Sequence, residues 1–344
     1  MNIIVLCGGL SMERDVSLVS GAGIAKALRE RGHRAVLVDV FFGYTGKYEK
    51  PEDIFTNPYD DSIAAITDAE PDLEAVKKSR KQANDSRIGD NIIEVCLAAD
   101  IVFMALHGAD GEDGRLQAMF DIYGIKYTGC GYLGSAMSMN KEVAKKMLIQ
   151  NGIKTPFGIT VTKFDKKREC PGIPCVVKPR SGGSSVGTSV VTDMAKYDEA
   201  LDLAFKYEPY ALVEQYISGR EVDVGVLADK ALPPIEIRPK SGWFDYKNKY
   251  QAGMTDEICP TDFPQKIIAK LTKAAVDVCN ALMIDVYARM DFIVDENDDV
   301  WCLEANTLPG MTPASLMPKE AAAIGIAYGE LCEMIITESL KKYR

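Results

Sequence analysis

Residues 288–316, ARMDFIVDENDDVWCLEANTLPGMTPASL, contain the side chains whose types and spacing could do chemistry. Asp291 interrupts one apolar run and Glu304 closes the next one. Two such runs around a turn-rich acidic segment predict a β-hairpin. Because residues i and i+2 share one face of a strand, Arg289 is expected beside Asp291, and Asn306 beside Glu304. The hairpin thus brings two carboxylates, an amide oxygen and a guanidinium to one face.

These four groups suit a site for a metal ion and a phosphate. Mg²⁺ takes oxygen ligands that do not complete a cage when the phosphates of a nucleotide supply its remaining positions. A guanidinium beside them can offset charge on a transferring phosphoryl group. The alternative is a solvated acidic hairpin, which accounts for the tip, 295–299. It does not account for Asp291 and Glu304, because a carboxylate within an apolar run is costly to bury unless it is paired.

A glycine- and serine-rich loop, 179–187, follows a β-rich run that ends at Lys178. Its small residues let the backbone approach a ligand closely, and its N–H groups and hydroxyls could surround phosphate oxygens. It is not a P-loop, because no Gly-Lys-Ser/Thr follows the glycines. A flexible hairpin loop without a ligand is the alternative interpretation.

Three acidic residues elsewhere are weaker candidates. Glu214 and Glu221 flank a strand–turn–strand, where they could meet an adenine amino group and ribose hydroxyls or be ordinary strand-end charges. Glu13 follows the first Gly-Gly turn and could pair with an ammonium group or simply begin a helix. That first turn, Gly8-Gly9, does not carry the Gly-x-Gly-x-x-Gly pattern of a nicotinamide site, which argues against a dehydrogenase. Four cations lie in different segments and would form a binding site only if the fold brings them together: Lys141, Lys178, Lys249 and Arg289.

Hydrophobic periodicity indicates which elements position these residues. A strand, a helix and a second strand within 2–40 predict the β-α-β opening of a parallel sheet. The segment 41–89 interrupts this pattern and is interpreted as an insertion, partly helical near 71–81. Further on, one helix is predicted over 135–150, with Lys141 inside it, and a long loop over 240–260.

Length and composition limit the function classes. A chain of 344 residues suits two or three domains. A net charge of −10 without a basic tract argues against nucleic acid or an anionic membrane as partner. The sequence contains no run of 18 apolar residues, so no membrane span is predicted. Nine scattered cysteines indicate free thiols in a reducing cytoplasm, and two histidines make a His/Cys zinc site unexpected.

Several motifs together resemble one family. They are, in chain order, GGLSMERDVSLVSG, HGADGEDGRLQ, SAMSMNK, VVKPRSGGSSVG, EQYISGRE, FDYKNKY, ARMDF and LEANTLPGMTPASLMP. With them the sequence resembles the D-alanine–D-alanine ligases of the ATP-grasp superfamily, apart from roughly 41–89. The implied fold is an α/β three-domain ATP-grasp ligase, with an N-terminal Rossmann-like parallel sheet followed by two α+β ATP-grasp domains. The implied domains are 1–129 (including the insertion), 130–214 and 215–344.

The resemblance also implies the ligands and the residues that hold them. ATP would be bound by Lys141, Lys178, Ser184, Ser185, Glu214, Ile217, Glu221 and Lys249. Two Mg²⁺ ions, with Mn²⁺ as an alternative, would be held by Asp291, Glu304 and Asn306. The amino-acid substrates would contact Glu13, His107, Ser315 and Leu316. The catalytic set would be Glu13, Ser184, Tyr250, Arg289 and Gly310.

The implied reaction makes D-alanyl-D-alanine for peptidoglycan precursors in two steps. ATP phosphorylates the carboxylate of the first D-alanine, and the amine of the second D-alanine then displaces phosphate. Tyr250 and Ser-Leu-Met-Pro at 315–318 favour D-alanine as the second substrate, since vancomycin-resistance ligases resemble Ser-Arg-Tyr-Pro there. A cytoplasmic homodimer is expected. The alternatives are a ligase that uses D-serine or another second substrate, and a non-catalytic ATP-binding regulator.

Overall fold

The computed structural model describes residues 1–59, 61, 71–80, 85–183, 185–240 and 255–344. The first part of the chain forms a three-stranded parallel sheet of order β2-β1-β3. Its strands are β1 (Asn2–Cys7), β2 (Arg34–Asp39) and β3 (Ile101–Met104). Its helices are α1 (Arg14–Glu30), α2 (Leu73–Ser79), α3 (Ile92–Leu97) and α4 (Arg115–Tyr123), with a 3₁₀ turn at Pro51–Phe55. The predicted N-terminal parallel sheet is confirmed.

The middle of the chain places two helices before an antiparallel sheet of order β4-β7-β5-β6. The helices are α5 (Tyr132–Met139), α6 (Lys141–Gln150) and, later, α7 (Tyr197–Ala204). The strands are β4 (Gly158–Thr162), β5 (Cys175–Pro179), β6 (Ser189–Val191) and β7 (Tyr210–Gln215). The apolar faces of β5 and β7 pack against α7, which buries Tyr197 and Leu201.

The single helix predicted over 135–150 is wrong. The chain breaks at Asn140, whose backbone is extended (φ −86°, ψ 95°) and whose side-chain oxygen accepts the N–H of Val143 at 3.2 Å. Asparagine favours this capping position because its side chain replaces a missing helical acceptor. Lys141 is therefore the first residue of α6 and not an interior residue of one long helix.

The last part of the chain forms a six-stranded sheet of order β11-β10-β8-β12-β13, with β9 added to β8. Its strands are β8 (Arg220–Leu227), β9 (Lys230–Ala231), β10 (Ile235–Pro239), β11 (Thr255–Ile258), β12 (Tyr287–Val294) and β13 (Val300–Asn306). Its helices are α8 (Gln265–Ala281), α9 (Leu316–Ala323) and α10 (Tyr328–Leu340). The predicted hairpin is confirmed as β12 and β13.

The loop predicted over 240–260 is wrong at its end, because Thr255–Ile258 is a strand. The sequence of this strand, TDEI, lacks the alternation of apolar and polar residues that predicts a strand. Backbone pairing with β10 at the edge of the sheet holds it instead, with Glu236 opposite Ile258.

One apolar core joins the two ends of the chain. Leu331, Ile335 and Ile336 of α10 belong to the same buried cluster as the strands of the parallel sheet. Tyr287, at the start of β12, is also buried there. The helix that closes the chain thus fastens the six-stranded sheet to the parallel one. Within the described ranges, no helix is both long and apolar enough to cross a membrane.

Candidate active site

A cavity of about 610 Å³ lies between the four-stranded and the six-stranded sheets. Lys178 lines it from β5, and Asp291 and Glu304 line it from the hairpin. Lys141, from the start of α6, reaches the same cavity. A cleft of this volume suits a nucleotide-sized ligand. Cations from two separate segments and carboxylates from a third therefore share one cleft.

In the cavity wall, one buried carboxylate is bound by two ammonium groups. Glu214 Oε1 accepts from Lys145 Nζ at 2.5 Å, and Glu214 Oε2 lies 2.5 Å from Lys178 Nζ. Burial tends to raise the pKa of Glu214, but attraction to Lys178 and Lys145 outweighs it and lowers the pKa. Burial tends to lower the pKa of Lys178, and the charges of Glu214 and Glu304 reverse that and raise it.

Lys145 was not predicted from the sequence. Its Nζ also donates to Thr155 Oγ1 at 2.9 Å, and burial lowers its pKa more than Glu214 raises it. A signal did exist, because Lys145 follows Lys141 by four residues and so lies on the same helical face.

Lys141 connects the glycine-rich loop to the hairpin. Its Nζ donates to the carbonyl oxygen of Gly182 at 2.6 Å and lies 2.9 Å from Glu304 Oε2. Its backbone N–H donates to Arg180 O at 3.0 Å. Because both its backbone and its side chain are held, the Lys141 ammonium group is positioned to bind phosphate oxygens beneath the loop.

On the hairpin, Arg289 is buried between carboxylates. Its Nε lies 2.8 Å from Asp291 Oδ1 and 3.0 Å from Asp223 Oδ2. Burial tends to lower the pKa of Arg289, and the two carboxylates raise it well above its ordinary value. Asp223 was not predicted, although it stands within an apolar run as Asp291 does, and that was a usable signal.

The oxygen donors of the hairpin fit a hard cation. Asp291 pairs directly with Glu304 across the two strands, and Arg289 pairs with Asn306. Asp291 and Glu304 both line the large cavity, and Asn306 lines a small pocket beside it. Across the part of the chain that is described, no three His, Cys, Asp or Glu side chains form a complete metal site. Carboxylate and amide oxygens of this kind suit a Mg²⁺ ion whose remaining ligands come from bound phosphates.

A second group of residues lies beyond the end of β3 in the parallel sheet, and one of them, Glu112, lines the small pocket. His107 Nδ1 lies 2.9 Å from Leu308 O, and its Nε2 lies 3.2 Å from Ser20 Oγ. Burial tends to lower the pKa of His107, but its hydrogen bond to Glu112 and the charges of Glu112 and Glu13 raise it. Burial raises the pKa of Glu112 to about 7. Glu112 was not predicted, and its place in the HGADGEDG motif was the signal.

The glycine-rich loop reaches the N-terminal part of the chain at Glu13. A Cβ atom added at Gly183 would lie 3.1 Å from Glu13 Oε2, and one at Gly108 would lie 3.0 Å from it. Glycine thus permits two backbone segments to approach this carboxylate. Glu13 and the phosphate-side loop therefore lie next to each other.

At the start of α9, Ser315 precedes the first helical residue, Leu316, which is buried. Ser315 Oγ accepts the N–H of Thr312 at 3.1 Å and lies 2.8 Å from Thr312 Oγ1. A Cβ atom at Gly310 would lie 3.0 Å from Ser315 Oγ. The structure thus brings Gly310 and Ser315 together beside a helix N-terminus, which is favourable for a carboxylate.

The other predicted residues divide into two groups. Those that line the large cavity are Ser185, Ile217 and Glu221. Those that lie outside the described residues are Ser184, Lys249 and Tyr250. Glu236 also lines the cavity and was not predicted, although it interrupts an apolar run. Its carboxylate binds Arg220 at 2.5 Å and Arg238 at 2.7 Å.

Two family models match this chain, D-ala D-ala ligase N-terminus over residues 2–130 and D-ala D-ala ligase C-terminus over residues 154–337. The chain belongs to the D-alanine–D-alanine ligase family. A D-alanine–D-alanine ligase of Lacticaseibacillus casei (strain BL23) is 42% identical, over 100% of this chain and 97% of its own length.

Solved structures of this ligase family have the same fold. A D-alanine–D-alanine ligase from Bacillus anthracis gives a TM-score of 0.76 at 32% identity, over 99% of this chain and 98% of that chain. Its complex with ATP gives 0.74 at 30% identity, over 99% and 98%. The VanG D-Ala:D-Ser ligase from Enterococcus faecalis gives 0.74 at 26% identity, over 98% of each chain. The predicted ATP-grasp fold is confirmed.

Proposed function

We propose that this protein joins two D-alanines to D-alanyl-D-alanine and cleaves ATP to ADP and phosphate in doing so. The observation that carries this proposal is the single cavity lined by Lys141, Lys178, Asp291 and Glu304. A cavity that brings lysine cations and oxygen-donor carboxylates together suits a triphosphate and its counter-ion. The reaction itself is inferred from membership of the D-alanine–D-alanine ligase family.

The nucleotide would lie along the cavity with its base at Glu214 and Ile217. Glu214 is acceptor-only when ionised and so suits the amino group of adenine. Glu221, which lines the same cavity, would accept from the ribose hydroxyls. Lys178 and Lys141 would bind the α- and β-phosphates, and Ser185 lies in the loop that covers them.

In the first step, a carboxylate oxygen of the first D-alanine attacks the γ-phosphorus, and ADP leaves. Glu13 would hold the ammonium group of that D-alanine, with His107 nearby. In the second step, the amine of the second D-alanine attacks the acyl carbon, and phosphate leaves with the bonding electrons. Arg289 and the N–H of Gly310 would stabilise the tetrahedral oxyanion between these events.

The second D-alanine would bind beside α9. Ser315 and the N–H of Leu316 would hold its carboxylate, because a helix N-terminus favours an anion. The loop residues Ser184, Lys249 and Tyr250, which lie outside the described residues, would close the site. Closure matters because an acyl phosphate reacts readily with water.

Two Mg²⁺ ions, or Mn²⁺, would be held by Asp291, Glu304 and Asn306. Bound there, they would offset the negative charge of the triphosphate and of the transferring phosphoryl group. Asp291 and Glu304 face each other across the strand pair, which supports this assignment. In the ligand-free arrangement, Arg289 and Lys141 neutralise the same carboxylates.

A panel of amino and hydroxy acids tests the proposal. Phosphate release with Mg-ATP should require D-alanine, and mass spectrometry should find the D-alanyl-D-alanine dipeptide. D-Serine is the second candidate substrate, supported by the similarity to a D-Ala:D-Ser ligase. A mixed dipeptide from D-alanine and D-serine as the main product would replace the proposal. ATP binding in calorimetry without turnover of any acid would indicate a regulator.

We further infer a cytoplasmic homodimer. All nine cysteines have free thiols, which suits a reducing compartment. At the end of α4, Ile122 is 84% exposed and Tyr123 is 52% exposed, which offers apolar surface to a second subunit. Sedimentation velocity should give the mass of two chains, and the mass of a single chain would contradict the dimer.

A further inference from the structure

The carboxylate of Glu214, which is proposed to bind the adenine base, contacts two ammonium groups at once. Lys178 holds Oε2 and Lys145 holds Oε1, both at 2.5 Å. The two lysines differ in position. Lys178 and Glu214 line the cavity, and Lys145 is not among its lining residues. Glu214 is therefore held from behind by Lys145 and covered on its cavity side by Lys178.

The proposed function gives Lys178 a second partner, the phosphates of the nucleotide. If Lys178 turns to the phosphates, its attraction to Oε2 weakens, and Lys145 remains as the cation in contact with Glu214. Glu214 is 2% exposed, so the charge of its carboxylate depends on these neighbouring cations more than on water. A buried carboxylate without a cation takes up a proton, and its O–H then donates where the adenine amino group needs an acceptor.

We propose that Lys145 is a positioning residue that keeps the Glu214 carboxylate charged and aimed at the base when Lys178 turns to the phosphates. The inference rests on the proposed function only in taking the cavity ligand to be ATP. Thr155 supports Lys145 by accepting from its Nζ at 2.9 Å. Lys145 also packs closely on β4, since a Cβ atom at Gly158 would lie 3.3 Å from its Cε. These contacts leave Lys145 in place when the front of Glu214 changes partner.

Base selectivity follows from this arrangement. Adenine presents an amino donor where guanine presents a carbonyl acceptor. A charged Glu214 accepts from the former and repels the latter. A protonated Glu214 could donate to guanine instead. Lys145 thus contributes to the preference for ATP over GTP without touching either nucleotide.

The test replaces Lys145 and compares it with its neighbour in sequence. Lys145→Met should weaken ATP binding about 10- to 100-fold, as expected for losing a charged hydrogen-bond partner. It should reduce the ratio of ATP to GTP affinity as well, and leave KM for D-alanine within about twofold. The control is Lys146→Met, because Lys146 is exposed and pairs with Glu142 at 2.6 Å on the surface of the same helix. Calorimetry with each nucleotide in the absence of D-alanine gives the affinities.

A double substitution separates positioning from a structural role. In a Glu214→Gln background the side chain is already neutral, so Lys145→Met should cause little further loss of ATP affinity. Equal losses in both backgrounds, or an unchanged ATP-to-GTP ratio in a folded Lys145→Met protein, would overturn the proposal. If Lys145→Met fails to fold, Thr155→Val keeps the charge, removes its orienting hydroxyl, and should shift both readouts in the same direction by a smaller factor. Because the readout is nucleotide binding, it remains decisive even if no amino acid is turned over.

Discussion

At the scale of single residues, Glu304 shows why a carboxylate at the end of an apolar strand was a useful signal. It faces Asp291 across the hairpin and lies 2.9 Å from Lys141 Nζ. Its charge therefore contributes both to the metal site and to the placement of a phosphate-binding cation. The acidic tip of the same hairpin, 295–299, is partly or fully exposed, which agrees with the solvated interpretation of that segment.

Glu304→Gln is expected to reduce kcat by at least about 100-fold, because one ligand charge is lost at a site that must offset a triphosphate. Phosphate release measured over a Mg²⁺ titration tests this, and extra Mg²⁺ should restore part of the rate. Glu296→Gln makes the same chemical change at the exposed tip and should leave the rate unchanged. Near-normal turnover in Glu304→Gln would mean that the metal site is assigned to the wrong residues.

The contact between His107 and Glu112 allows a prediction about the pKa of the His107 imidazole. The hydrogen bond and charge of Glu112 help to hold the pKa of His107 above its ordinary value. Glu112→Gln removes that charge and should lower the pKa of His107. The chain has two histidines, so a pH titration followed by NMR gives two imidazole signals, and His33→Gln assigns them. An unchanged His107 titration would show that Glu112 does not set its protonation.

At the scale of elements, the break between α5 and α6 determines where Lys141 lies. Asn140 caps α6, and removal of such a cap costs about 1 kcal/mol. Asn140→Ala should therefore lower stability by about that amount and raise KM for ATP severalfold, because Lys141 is the next residue. Denaturant unfolding and steady-state kinetics measure the two effects.

Asp72→Ala is the matched control for the Asn140 cap. Asp72 caps α2 and accepts the N–H of Ala75 at 2.9 Å, away from the cavity. Its replacement should leave KM for ATP unchanged. If Asn140→Ala loses stability but keeps its KM for ATP, the break in the helix does not position Lys141.

Helix α9 is fastened to the six-stranded sheet by a buried acid. Both carboxyl oxygens of Glu320 lie 3.0 Å from the N–H of Gly225, the residue that pairs with Arg289 across β8 and β12. Burial raises the pKa of Glu320 to about 8. The helix that begins beside Ser315 is thus tied to the strand pair that carries Arg289.

The pKa of Glu320 predicts a pH-dependent stability. The folded protein retains this proton above the ordinary carboxyl pKa while the unfolded chain loses it, so this group reduces stability as pH rises from about 4.5 to about 8. Glu320→Gln should remove that slope and be more stable than the parent at pH 8 by on the order of 2 kcal/mol. Urea unfolding at several pH values tests this. Glu330→Gln, an exposed acid on α10, should keep the slope. Equal slopes in all three proteins would contradict a buried, protonated Glu320.

The sequence predicted elements well where a local pattern was sufficient. Apolar runs separated by an acidic turn gave the β12–β13 hairpin, and its alternation gave the face shared by Arg289 and Asp291. Prediction from the sequence failed where backbone pairing or a partner distant in the chain determines the secondary structure. Asn140 ends a helix that periodicity alone continues, and Thr255–Ile258 pairs as an edge strand without an apolar pattern. Asp223 and Lys145 became site residues only when strands and helices from other segments supplied their partners.

At the scale of the whole molecule, the parallel sheet and the six-stranded sheet share one apolar core. The sequence indicated the parallel sheet, but not that α10 packs against it, because the contact joins the two ends of the chain. The proposed domain limits, 1–129, 130–214 and 215–344, remain a prediction that limited proteolysis can test. Gln215 is the last residue of β7, so cleavage is expected just beyond it, in the mostly exposed turn 216–219, before cleavage within the strands, because domain limits fall in segments crossed by few contacts.

The approach of the glycine-rich loop to Glu13 joins the ATP side of the molecule to the first-substrate side. Gly183→Ala places a methyl group 3.1 Å from Glu13 Oε2, closer than ordinary contact, and the flexible carboxylate must move. Because Glu13 is proposed to hold the D-alanine ammonium group, KM for D-alanine should rise about tenfold. ATP affinity should change much less, since the substitution keeps the backbone N–H groups of the loop and every lysine of the cavity.

Gly131→Ala is the matched control for Gly183→Ala. The new methyl group would meet the carboxylate of Asp285 at 3.5 Å, an ordinary contact, outside the cavity. Its KM for D-alanine should equal that of the parent. If Gly183→Ala instead weakens ATP binding and leaves KM for D-alanine unchanged, the loop acts on the nucleotide alone. The working enzyme would then not couple its phosphate loop to the amino-acid site through Glu13.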